Sequence, residues 1–114
     1  MGSIVQYILL RSDLALTRGA SAAQVAHASV AAIWQSRDAA HTLAYVGGLE
    51  SMTKIILKCD DESSLRSAAA ALETAGLMHH LWVELPENVP TCLATAPGPR
   101  DVLKPHFSSF KLLR

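Results

Sequence analysis

The chain has 114 residues, half of them hydrophobic, and its formal net charge at pH 7 is zero. This length fits one domain over residues 1–114, and the hydrophobic fraction is too high for a disordered protein. The absence of a basic excess argues against a general nucleic-acid coat protein, and no apolar run is long enough to span a membrane.

Two features of the sequence bear on the compartment. The opening segment MGSIVQYILLRSDL lacks the basic region of a secretory signal. Cys59 and Cys92 lie far apart in apolar, strand-like runs, which favours two buried reduced thiols over a disulfide. We therefore expect a cytoplasmic protein without a membrane anchor, and the mitochondrion is the alternative compartment.

The chain begins with a predicted strand and a long predicted helix. Residues 4–11 (IVQYILLR) are rich in β-forming side chains and indicate a buried strand. After a loop, an alanine-rich helix is expected from Ser21 to about Gln35, because alanine is the strongest helix former. Ser21 and Gln24 have the spacing of a capping box, in which each side chain bonds a free backbone N–H at the helix start.

Strands and helices continue to alternate through the rest of the chain. The patterns predict strands at 52–59, 79–85 and 91–96, and helices at 38–46 and at about 100–107. Another helix is expected to begin among the acids at 60–62 and to stop at Gly76. The apolar tail FKLLR is expected to dock on this domain. This alternation predicts an α/β domain with a partly parallel sheet. The short PENVP loop makes the last two strands a hairpin, so the sheet is expected to be mixed.

The five histidines do not form a metal-binding pattern. His79 and His80 are neighbours on a predicted strand and therefore face opposite sides of the sheet. No pair of ligands has zinc-site spacing, and the chain lacks the glycine-rich nucleotide loops and the nucleophile elbow. We expect neither a metal nor a cofactor.

Two pairs of polar residues are candidates for a site. Gln24 and His27 share one helix face, where they could line the rim of a site at the helix N-terminus that attracts a phosphate or a carbonyl oxygen. Glu84 and Thr91 stand at facing ends of paired strands, where they could orient a water molecule and donate a hydrogen bond. The alternatives are structural hydrogen bonds for the first pair, and a solvated carboxylate and an ordinary strand residue for the second.

Basic residues concentrate in two places. Arg11 and Arg18 flank the first loop, and Lys104 is one of four cations among residues 100–114, which hold one acid, Asp101. A local basic patch that contacts RNA is one interpretation of these residues. Solvated surface charge is the other.

Several segments carry a family signature through their order and spacing. They are QYILLRSDL, GASAAQVAHASVAA, KIILK, DDESSL, LWVELPENVPTCLATAPGP and the closing FKLL. From about Val5 onward the chain resembles the type II peptidyl-tRNA hydrolase family, and LWVELPENVPTC points to a divergent subgroup of it. The resemblance implies a three-layer α/β/α domain with a four-stranded mixed sheet, and a possible homodimer. It also implies a peptidyl-tRNA substrate, whose ester between peptide and terminal ribose is hydrolysed by water.

The resemblance also suggests roles for individual residues. Gln24 and His27 match the family's helix motif, Thr91 matches the threonine that opens the last strand, and Glu84 is the best match to an aspartate. The family has a catalytic lysine where this chain has Ala20. Our hypothesis is that Glu84 activates water, that Thr91 and the helix N-terminus stabilise the oxyanion, and that Arg18 replaces the lysine charge. The catalytic candidates are thus Glu84, Thr91 and Arg18, and the substrate-binding candidates are Gln24, His27, Arg11 and Lys104.

The altered loop leaves two other functions open. The domain could bind tRNA or a protein partner without hydrolysing an ester, as Ala20 and the shortened loop after the third strand suggest. It could also serve only as a dimerisation or adaptor domain, which would not bind tRNA.

Overall fold

A computed structural model describes residues 3–114 of the chain. In this part of the chain the strands are β1 (Ile4–Arg11), β2 (Thr53–Cys59), β3 (His79–Glu84), β4 (Val89–Thr95), β5 (Gly98–Pro99) and β6 (Lys111–Leu112). The helices are α1 (Arg18–Gln35), α2 (Ala40–Gly47), α3 (Glu62–Thr74) and α4 (Arg100–Leu103), and 3-10 turns lie at Leu49–Ser51 and Lys104–His106.

The strands form one mixed sheet in the order β3-β4-β1-β2-β6, and β5 pairs with the start of β1. β1 and β2 are parallel, and the other pairs are antiparallel. The predicted α/β class and mixed sheet are confirmed, but the predicted count of four strands is wrong, because the sheet has six. β5 and β6 have two residues each, which is too short for an alternating pattern to reveal them.

β1 lies inside the sheet and is buried on both faces. Val5, Tyr7 and Leu9 point to the face covered by α3, and Ile8 and Leu10 point to the face covered by α1. We call these the α3 face and the α1 face. Burial on both sides explains why β1 is an almost continuous apolar run rather than an alternating one. The helices therefore form a layer on each face of the sheet.

Two predicted helix boundaries are wrong. α1 begins at Arg18 instead of Ser21, because the Thr17 side chain caps it by accepting a hydrogen bond from the Ala20 N–H at 3.1 Å. The capping box is therefore not formed. The helix predicted at 100–107 ends at Leu103 and continues as a 3-10 turn, since Pro105 has no N–H for the next α-helical bond.

Two further expectations concern the whole domain. Cys59 and Cys92 are buried free thiols, as predicted, and burial raises the pKa of Cys92 to about 12. No helix within residues 3–114 has the length and apolar character needed to cross a membrane.

A buried glutamine side chain joins β1 to its surroundings. The Gln6 amide nitrogen donates to the carbonyl oxygens of Ser29 on α1 (3.2 Å) and Thr95 on β4 (3.0 Å). Its amide oxygen accepts from the Ser29 hydroxyl (2.8 Å) and from Lys54 Nζ on β2 (2.7 Å). Gln6 has no exposed surface, and both of its donor positions and both of its lone pairs are used.

The first prediction concerns this network. Gln6→Leu should lower the free energy of unfolding by about 2–4 kcal/mol, because it leaves several buried polar groups without their partner and removes the shorter of two hydrogen bonds of the Lys54 ammonium. Urea denaturation measures the change. Gln35→Leu is the matched control, since Gln35 is exposed and its side chain makes one hydrogen bond, to the exposed edge of His80. This variant should shift the value by no more than about 0.5 kcal/mol. Equal effects of the two variants would contradict the prediction.

Candidate active site

One hydrogen-bond chain links α1 to the β3–β4 hairpin. The Thr91 hydroxyl donates to Gln24 Oε1 at 2.6 Å. Gln24 Nε2 donates to Glu84 Oε2 at 2.9 Å, and Trp82 Nε1 donates to Glu84 Oε1 at 3.1 Å. Each carboxylate oxygen of Glu84 is therefore held by one uncharged donor.

The chemistry of the three side chains fixes which group donates and which accepts in each of these hydrogen bonds. An ionised carboxylate only accepts hydrogen bonds, so the NH₂ group of Gln24 must face Glu84. The amide oxygen then faces Thr91, whose hydroxyl must donate. Gln24 and Thr91 are both buried, whereas Glu84 is partly exposed. The buried pair thus supports a carboxylate that solvent and ligands can reach.

A β-bulge directs Thr91 toward α1. Trp82 pairs with Cys92 and Val83 pairs with Pro90, so Thr91 has no partner in the ladder. In a regular strand Thr91 and Cys92 would face opposite sides. The extra residue of the bulge lets both reach the α1 face, where Cys92 packs in the core and Thr91 meets Gln24. Pro90, which has no N–H, suits an interrupted ladder.

An aromatic stack lies beside the carboxylate. The imidazole ring of His27 stacks on the indole of Trp82, with centroids 4.6 Å apart and planes 19° from parallel. His27 is exposed, and Trp82 is half-buried. Because one face of the imidazole covers the indole, the exposed surface of His27 is its outer face and its edges.

The surroundings of Glu84 favour its ionised form. Its pKa is lowered, first by the hydrogen bond from Gln24, then by the bond from Trp82 and by the charge of His27. A carboxylate with remaining lone pairs can hold a water molecule by accepting a hydrogen bond from it. The lowered pKa makes Glu84 a weaker base, so it is better suited to orient water than to remove a proton before the attack begins.

Arg11 is engaged in structural contacts. Its guanidinium pairs with Asp13 at 2.8 Å and with Glu62 at 3.6 Å. It also donates to the carbonyl oxygen of Pro90 at 3.0 Å, next to Thr91 in the chain. Two acids thus balance the charge of Arg11. Its hydrogen bond to the Pro90 carbonyl oxygen supports the bulged strand.

Arg18 and Ala20 occupy different sides of α1. At about 100° per residue, Ala20 lies only about 40° around the helix from Gln24, whereas Arg18 lies about 160° from Ala20. Arg18 lines a separate groove together with Lys54 and Ile56. Of these two positions on α1, a basic side chain at position 20 would therefore have the shorter path to Glu84.

The structure brings together four of the seven predicted site residues, namely Gln24, His27, Glu84 and Thr91. Lys104 follows Leu103, which packs in the α3-face core, so it belongs to the opposite side of the sheet. Trp82 is a further residue of this cluster that is not among the predicted ones. Its position two residues before Glu84 places both on one strand face, and this spacing could have identified it. Within residues 3–114, no three metal-ligating side chains come together.

The mixed sheet with a carboxylate, an amide and a hydroxyl fixed between helix and hairpin defines a small α/β protein with an oriented, partly exposed carboxylate. Residues 4–113 match the family model for peptidyl-tRNA hydrolase PTH2, and the chain belongs to this family. It is 38% identical to the human protein named "Putative peptidyl-tRNA hydrolase PTRHD1", over 97% of this chain and 83% of that protein. It is also 30% identical to the peptidyl-tRNA hydrolase of Thermococcus sibiricus, over 95% of this chain and 96% of that protein.

The second prediction concerns the ionisation of Glu84. Gln24→Leu should raise the pKa of Glu84 toward its ordinary value of 4.5, because the main hydrogen bond that lowers it is lost. A carboxyl-carbon NMR titration measures this, and Gln35→Leu should leave the pKa unchanged. Because the folded-state pKa is the lower one, Glu84 stabilises the fold above the ordinary carboxyl pKa, and this contribution disappears as the pH falls through the folded-state pKa.

Proposed function

We propose that this protein hydrolyses the ester of peptidyl-tRNA. The observation that carries the proposal is the fixed carboxylate of Glu84, whose two oxygens are held by Gln24 and Trp82 at the end of the β3–β4 hairpin. Membership of the PTH2 family supports the choice of substrate. The peptidyl-tRNA hydrolase name of the relatives supports it as well.

The proposed reaction is the attack of one water molecule on the ester carbonyl carbon. Glu84 accepts a hydrogen bond from that water and takes its proton as the bond to carbon forms. Glu84 returns this proton to the ribose oxygen of the tRNA as the bond between that oxygen and the carbonyl carbon breaks. The new carboxyl group of the peptide releases its proton to solvent, so the products are a free peptide carboxylate and a tRNA hydroxyl. Gln24 keeps the carboxylate in place throughout.

Thr91 has a supporting role in this proposal. Its hydroxyl proton is used in the bond to Gln24, so it acts first by fixing the amide that holds Glu84. To donate to an oxyanion, Thr91 would have to give up that bond. The positive end of the α1 macrodipole is the other source of stabilisation for a developing negative charge.

The positive charge that a lysine at position 20 would supply has to come from another residue in this mechanism. Arg18 is the proposed replacement, and its side chain would have to pass around the first turn of α1 to reach Glu84. Arg11 and Lys104 are proposed to contribute only to the contact with tRNA, since one is paired with acids and the other lies on the α3 face.

A second candidate function is the binding of peptidyl-tRNA without hydrolysis. Ala20 is the observation that favours it, because the site lacks the family's cation at that position while the rest of the hydrogen-bond chain is present. Wild-type protein that binds the substrate in a salt-dependent manner and leaves the ester intact would select this function.

A homodimer and a cytoplasmic location, or a mitochondrial one, complete the proposal. Val30 and Trp34 on α1 and Leu43 on α2 are large, exposed apolar side chains, which a second copy of the chain could cover. The buried free thiols fit a reducing compartment. The molar mass measured by sedimentation equilibrium tests the dimer, and a monomer at micromolar concentration would contradict it.

The third prediction tests the role of Glu84. Glu84→Gln keeps the size of the side chain and removes its charge, and should reduce kcat for peptidyl-tRNA by about 10²-fold or more. Release of the peptide from labelled peptidyl-tRNA measures the rate. Glu87→Gln, in the exposed hairpin loop, is the matched control and should keep the wild-type rate. A Glu84→Gln rate equal to that of the control would reject the mechanism.

The fourth prediction concerns the missing cation. Ala20→Lys should increase kcat by up to about 10²–10³-fold, because a fixed cation next to the oxyanion is worth that much when it is well placed. Arg18→Ala is measured in the same assay and should reduce kcat if Arg18 now supplies the charge. A lysine variant without any gain, together with an unaffected Arg18→Ala variant, would show that this site does not use a cation from α1.

A further inference from the structure

We propose that the outer face of His27, supported by Trp82, is the binding platform for the adenine base at the 3′ end of the tRNA. The inference rests on the proposed function, because it concerns the substrate of that site. The ester of peptidyl-tRNA is carried by the ribose of a terminal adenosine. A site that acts on this ester must therefore have an adenine base close by.

The geometry of the stack suits this role. His27 covers the indole of Trp82 with one face, and its exposed position leaves the other face open to solvent. Trp82 donates from its ring edge to Glu84, so the carboxylate lies at the side of the stack. A ribose is bonded to the edge of its base. A base stacked on His27 would therefore place its ribose beside the stack, where Glu84 also lies.

The arrangement is stiff enough to act as a platform. The indole is half-buried against the α1-face core, and its N–H is held by Glu84. His27 lies in the middle of an 18-residue helix, so its backbone is held on both sides. A preformed, ordered aromatic surface binds a base with less loss of conformational freedom than a mobile side chain would.

The local charge favours a base over the other parts of the substrate. Glu84 is ionised and adjacent to the stack, and its negative charge would repel a phosphate group placed there. A neutral, planar base meets no such penalty and gains stacking energy on an aromatic surface. An aromatic side chain of the peptide is the competing neutral occupant, and the experiment below separates it from adenine.

The experiment measures RNA binding without turnover. The probes are two acceptor-stem minihelices without a peptide, one ending in CCA and one in which the terminal adenosine is replaced by an abasic ribose. Fluorescence anisotropy at one fixed salt concentration gives the Kd of each. For the wild-type protein, the CCA minihelix should bind about 5- to 100-fold more tightly than the abasic one, as expected for one stacked base.

Three variants assign this preference to the stack. His27→Ala should bind both minihelices equally, with the affinity that the wild type has for the abasic one, and His27→Phe should restore the preference for CCA. His41→Ala, which removes an exposed histidine on α2, is the matched control and should keep the wild-type preference. A preference that survives in His27→Ala would overturn the proposal, as would equal binding of the two minihelices by the wild type.

The outcome is separable from that of the hydrolysis assay. A wild-type protein that hydrolyses peptidyl-tRNA but ignores the terminal base would leave the proposed function intact and overturn the platform, with a peptide side chain as the remaining occupant of His27. A protein that prefers the CCA minihelix and does not hydrolyse the ester would support the platform and reject the hydrolase function.

Discussion

The side-chain amide of Gln6 is the constraint on which the arrangement of this domain depends. It lies inside the sheet without any exposed surface, and its four hydrogen bonds reach α1, β2 and β4. Two of them end on Ser29, so α1 is fixed in rotation and in height above the sheet. Apolar contacts between alanines and a sheet do not specify a register so strictly, because one small side chain can replace another.

The position of α1 then decides the position of the site. Gln24 lies five residues before Ser29 on the same helix, and once Ser29 is fixed to β1, Gln24 is held over the β3–β4 hairpin. Its amide has two different ends, and it therefore requires an acceptor on one side and a donor on the other. Glu84 and Thr91 satisfy this requirement. A buried amide in the core thus places a second buried amide, which orients a partly exposed carboxylate.

The sequence predicts the main elements and most of the site, but not the local irregularities. The long β-forming and helical patterns identify β1 to β4 and α1 to α3 because each spans several periods. Gln24, His27, Glu84 and Thr91 are identified by a shared helix face and by facing strand ends, and the family resemblance supports them. Periodicity alone would nevertheless place Thr91 on the wrong side of β4. The bulge depends on the pairing between two strands, and the cap at Thr17 depends on competition with Ser21. Neither the bulge nor the start of α1 can therefore be predicted from the residues of one segment taken alone.

A lysine at position 20 could make two contributions to the site, and the alanine found there makes neither. A nearby cation would keep Glu84 ionised, and it would also stabilise the oxyanion of the transition state. In this chain the first contribution is already made by Gln24, Trp82 and His27, which together lower the pKa of Glu84. The second has no equivalent on the same face of α1. We therefore expect the absence of a lysine at position 20 to affect the rate of the proposed reaction more than the ionisation of Glu84, because the carboxylate keeps its two hydrogen bonds and its lowered pKa without it.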